Sequence, residues 1–162
     1  MVEAANWKDL ASALRDLHRT LFEHARRDYE RAHATSVTAG ELLNLLTSDA
    51  EFAWLRSLSE LMVDLDLVRE AAADERDALA ATVRAAVEHV LSIPQAPAIA
   101  GAFAQRYIDY LHDDPHVAMA HAAVKRVLNA WPRADGDAAA ALHERHRLAE
   151  KAAHLAKRRS TH

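Results

Sequence analysis

His24 and Asp28 stand four positions apart in a segment that reads as helix, so their side chains share one face. Two chemistries use that spacing. A carboxylate can orient an imidazole for acid–base catalysis, or the pair can reach for one metal ion. Helical spacing turns further polar groups inward from three other segments: Ser59 and Asp66, Arg106 with Tyr107 and Tyr110, and His121. His24, Asp28, Asp66, Arg106, Tyr110 and His121 therefore form the candidate cluster, either a ligand site or an internal ion-pair network. A lone buried charge is costly enough that an inward acid calls for an inward base. Arg106, at the centre of the Ile99–Phe103–Tyr110 stripe, is the expected partner of Asp66 or Asp28.

In the metal reading, His121 and Asp66 join His24 and Asp28 as ligands. The pattern differs from carboxylate-bridged bundles, which take a Glu from each of two helices and Glu-x-x-His from two others. Here that spacing occurs at Glu30 to His33, at a helix end. His112 and His116 are suitably spaced, but Pro115 falls between them, and His146 with Glu150 lies in the tail. The catalytic reading lacks a nucleophile motif, a phosphate loop and a dinucleotide fingerprint, because the glycines of "GELL" and "AGAF" stand alone. The absence of cysteine excludes disulfides, thiolate zinc sites, iron–sulfur clusters and cysteine nucleophiles. The expectation is a protein without catalytic residues or a favoured cofactor. Its eleven histidines make bundle stability sensitive to mild acid.

The elements that must position these groups are helices. Hydrophobic residues make up 51% of the chain, mostly Ala and Leu, with three Gly and four Pro, a composition that favours helix nearly throughout. Asn6 caps a first helix running to about His33, with Trp7, Leu10, Leu14, Leu17 and Leu21 inward. Thr38 and Glu41 form a capping box for a short helix ending near Thr47. Ser48 and Glu51 repeat the device for a third helix, "EFAWLRSLSELMVDLD", with Phe52, Leu55, Leu58, Met62 and Leu65 in its stripe and Asp66 beside them. Asp74 or Asp77 caps a fourth, carrying Leu79, Val83, Val87, Val90 and Leu91. "IPQAP" is a tight connection into a fifth, and Asp114 with Pro115 at N1 opens a sixth. The expected architecture is all-α, a bundle of six or seven helices, four or five of them long. Its core spans residues 1–132, with a linker and a weakly docked, basic, Ala-rich helix over 133–162.

The net charge of −4 hides an asymmetry. From His143 onward six basic residues face two acids, a tail that suits a solvated helix end and less well nucleic acid. The N-terminus lacks the basic start and apolar core of a secretion signal, and no apolar run reaches spanning length, so a cytoplasmic protein without membrane contact is expected. Trp54 and Leu61 make the third helix apolar around much of its circumference. Such a helix is either central in the bundle or a homodimer seam. The expected function is non-enzymatic, by self-association and protein interaction. The alternative is metal or small-ligand binding in the interior cluster.

The string "DAEFAWLRSLSELMVDLD", preceded by "LHRTLFEHARRDYERAH", resembles a family of small bacterial all-helical proteins with the pattern D-x-x-FAWLR-x-LS-x-L. The likeness covers about residues 7–131 and leaves the basic tail outside. Where the family pattern has a proline, this chain has Ser57. The resemblance implies an all-helical fold and carries no activity with it.

Overall fold

The structure is a computed structural model that describes residues 5–91 and 102–133; beyond them it describes Arg147, Glu150, His154 and Lys157, which are helical and exposed. Most of the expected linker, the docking of the tail helix and the "IPQAP" connection lie outside the described residues. Residues 5–91 and 102–133 form seven α-helices and one 3-10 helix, with no strand among the described residues.

Helix α1 (Trp7–Ala32) opens at Asn6, whose side chain accepts from the Asp9 amide. Its inward stripe, Trp7, Leu10, Leu14, Leu17 and Leu21, is buried throughout. The helix ends in a left-handed residue, Ala34 (φ +48°), which lets the Thr35 amide donate to the Glu30 carbonyl at 3.1 Å. Glycine is the usual occupant of that position. Helix α2 (Ala39–Ser48) begins with the reciprocal Thr38–Glu41 capping box, each partner satisfying an amide the other leaves open.

The third segment departs from a single helix. Asp49, not Ser48, caps it by accepting from the Glu51 amide, and residues Ala50–Leu55 wind as a 3-10 helix. Ser48 instead ends α2, its hydroxyl donating to the Asn44 carbonyl. In a 3-10 turn residues three apart eclipse, so Phe52 and Leu55 both point inward and Trp54 is buried beside them. Helix α3 (Arg56–Arg69) then buries Leu58, Leu61, Leu65 and Val68.

Helix α4 (Ala73–Ala78) is a short piece without a side-chain cap, so neither Asp74 nor Asp77 plays the expected capping part. Helix α5 (Ala80–Val90) buries Val83, Ala86 and Val87, together with Arg84. Helix α6 (Ala102–Asp113) buries Phe103, Tyr107 and Tyr110. Asp114 and Pro115 open α7 (Pro115–Asn129), the Asp114 carboxylate accepting from the His116 amide.

One apolar core runs through all of these except α2 and α4. Helix α1 packs chiefly against α7 and then α3, and α3 in turn packs against α5. Trp54 and Leu61 belong to this core at 6% and 0% exposure, so the 3-10 helix and α3 are central within the single chain.

Candidate functional site

Helix α1 brings His24 and Asp28 to the corner where α6 turns into α7. His24 Nδ1 lies 2.9 Å from Asp114 Oδ2, and its Nε2 lies 3.9 Å from Asp28 Oδ2. The Tyr110 hydroxyl donates to the same Asp28 oxygen at 3.0 Å, and the His24 and Tyr110 rings are 4.2 Å apart. A polar chain thus runs from Asp114 through His24 and Asp28 to Tyr110, its His24–Asp28 link at ion-pair and not hydrogen-bond distance. Asp114 serves two ends of it, capping α7 through Oδ1 and receiving His24 through Oδ2. The hydrogen bond from His24, with the His116 amide and the charge of both histidines, holds the Asp114 carboxyl below its ordinary range against the opposing effect of burial. Burial, and then the bond to Asp28, push the Tyr110 hydroxyl up to about 12, so it remains a donor near neutral pH.

Asp66 and Arg106 do not enter this chain. The centre of the α3 stripe runs along Leu58, Leu61, Leu65 and Val68, which leaves Met62 at its edge and Asp66 about a third of a turn away. The Asp66 side chain is 65% exposed and pairs with Arg69 at 3.2 Å. On α6 the buried line is Phe103–Tyr107–Tyr110, so Tyr107 takes the centre and Arg106 the exposed edge. Among the described residues Arg106 forms no ion pair with Asp28 or Asp66, and the expected internal pairing is corrected accordingly. Arg106 nevertheless lines the same cleft as Asp28 and Tyr110.

His121 belongs to a separate pair. Its Nδ1 meets the hydroxyl of Tyr107. Burial raises the Tyr107 pKa; burial, with the nearby Lys125 charge, lowers that of His121. A neutral hydroxyl therefore donates to a neutral ring. A third polar contact joins His18 Nε2 to Ser59 Oγ at 2.9 Å. The Ser59 hydroxyl spends its proton on the Leu55 carbonyl, so His18 is the donor. Burial lowers the pKa of His18 as well. This pair has the spacing of a nucleophile and its base, but the proton runs the wrong way for activation.

Among the described residues the buried cation is Arg84, at 3% exposure. Its Nε donates to Glu88 at 2.8 Å and its Nη1 to the Trp131 carbonyl, tying the C-terminal end of α7 to α5. The available signal was the i,i+4 Arg–Glu spacing beside Val83 and Val87. Nothing in that pattern distinguishes a buried guanidinium from a surface one.

Among the described residues no group of three His, Asp or Glu side chains is placed to hold one ion. An ion between His24 and Asp28 would find two such ligands, fewer than the three or four protein ligands of zinc sites. What the arrangement does provide is a half-open cleft of about 230 Å³ between α1, the 3-10 helix and α6. Tyr29, Phe52, Trp54 and Tyr110 line it, with Asp28, Glu51 and Arg106 as its charged groups.

Among the described residues no helix is long and apolar enough to cross a membrane. The motif "DAEFAWLRSLSEL" is accounted for by folding: Asp49 caps, and Phe52, Trp54, Leu55, Leu58 and Leu61 fill the core. No family model, curated protein or solved structure matches the chain.

Proposed function

We propose that this protein acts by associating with a second copy of itself through α2. The observation that supports this is the state of its leucines. Helix α2 carries Leu42, Leu43, Leu45 and Leu46, yet none of its ten residues is buried, and Leu43 is 64% exposed. At 100° per residue the four leucines span an arc of roughly 160°. Leu42, Leu45 and Leu46 lean on the core while remaining half-buried, and the helix meets the body mainly through the 3-10 helix. A wet apolar arc of this kind is the usual mark of an interaction surface.

The absence of charge along the arc favours a like partner. The only ionic residue of α2 is Glu41, which is engaged in the capping box with Thr38. Two copies can therefore lay this face together about a two-fold axis without repulsion, the commonest symmetry of soluble assemblies. A partner of different sequence would find no pattern of charge to select it.

Sedimentation equilibrium tests the reading. The wild-type chain is expected to form a dimer, and Leu43→Glu to yield a monomer that still melts cooperatively, since Leu43 makes little contact within the chain. A wild-type particle that stays monomeric at high concentration, or a dimer indifferent to Leu43→Glu, overturns it.

A further inference from the structure

The geometry points to a binding site for a small zwitterion, a compound bearing an ammonium group and a carboxylate in the manner of an amino acid or a betaine, in the cleft between α1, the 3-10 helix and α6. The size of the cleft, about 230 Å³, is below that of pockets for drug-sized ligands and suits a metabolite of few heavy atoms. Two aromatic pairs bound it: Trp54 edge-on to Tyr110, centroids 5.4 Å apart, and Tyr29 tilted against Phe52, 5.6 Å apart. Aromatic walls with carboxylates beside them are the surroundings an ammonium prefers, since ring quadrupoles and acids both attract it.

The acids are differently committed. Asp28 Oδ2 is taken up by Tyr110, while Oδ1 is met by the long, exposed contact of Arg31 at 3.4 Å, which a ligand ammonium can replace. Glu51 stands half exposed, its Oε1 steadied by His33 at 3.0 Å. Arg106, on the edge of α6, supplies a fork of donors that a carboxylate accepts in bidentate fashion. A bare cation would leave that fork unused, and a bare anion would face two carboxylates. A ligand with both charges satisfies each end.

Calorimetric titration of the full chain with glycine betaine and with L-lysine tests the assignment, choline and propionate serving as single-charge controls. At least one zwitterion is expected to bind saturably, and the controls to bind about tenfold more weakly or not at all. Arg106→Gln is expected to abolish the preference over choline, with Arg106→Lys restoring part of it. Glu51→Gln should weaken the zwitterion while leaving propionate unaffected. Both residues are exposed, so these variants should keep the wild-type melting temperature, which circular dichroism checks. Failure of both zwitterions to saturate, controls that bind equally well, or affinities unmoved by Arg106→Gln would overturn the assignment.

Discussion

From Trp7 to Leu21, α1 seats five large apolar side chains at three–four spacing, each 6% exposed or less. One turn further on, the same face carries His24 and Asp28, whose side chains are 22% and 37% exposed. The periodicity is unbroken and only the surroundings change: the first half lies against α7 and α3, the second reaches the α6–α7 corner and the aromatic cleft. Apolar contacts hold the first half. In the second, hydrogen bonds to residues 90 and 82 positions away join the packing of Ala25 and Tyr29. A single helix can thus be a core element at one end and the wall of a cleft at the other.

Substitutions in the two halves should differ in size. Leu17→Ala removes a side chain with no exposure and should lower unfolding free energy by about 2–5 kcal/mol, read by chemical denaturation. A loss under about 1 kcal/mol would mean that the first half is packed far less tightly than its burial implies.

Asp114→Ala should cost about 1–2 kcal/mol, through the lost α7 cap and the lost bond to His24. The acid response gives this effect its signature. The Asp114 carboxyl titrates below its ordinary 3.8 in the folded state, so folded protein holds fewer protons there than unfolded chain. Its contribution is complete above that value and is lost as pH falls through the lowered one. Asp114→Ala should therefore flatten the loss of stability in strong acid, and an unchanged slope would refute the role given to His24.

The smallest effect belongs to mild acid. His18 and His121 titrate below 6.5 when folded because of burial, so the unfolded chain takes up protons first. Their contribution is present above 6.5 and fades as pH falls from there toward the lowered values. The melting temperature should fall modestly between about pH 7 and about pH 5, and less so in His121→Asn.

Local signals were legible in the chain. Asn6, the Thr38–Glu41 box and the Asp114–Pro115 start each depend on groups within a few residues, and each stands where the spacing puts it. The 3-10 stretch at Ala50–Leu55 was not legible, because Phe52 and Leu55 suit a 3-10 turn as well as an α-helical one. That stretch precedes the α3 stripe centred on Leu58, Leu61, Leu65 and Val68, which leaves Asp66 facing out. The expectation that Arg106 is the inward cation fails for a related reason, Arg84 being the buried one. Both sit next to apolar stripes, and which edge is covered depends on the neighbouring helix.

The sequence by itself determined that the chain is helical, where α1, α2 and α7 start, and which face of α1 is oily, because propensity, capping and periodicity act over a few residues. Tertiary structure alone decided that His24 finds Asp114 and that Tyr110 finds Asp28. It also decided that Arg84 goes inside and that four aromatic rings gather around a cleft. Those outcomes depend on how helices distant in sequence are rotated and seated against one another, and no short-range preference encodes that seating.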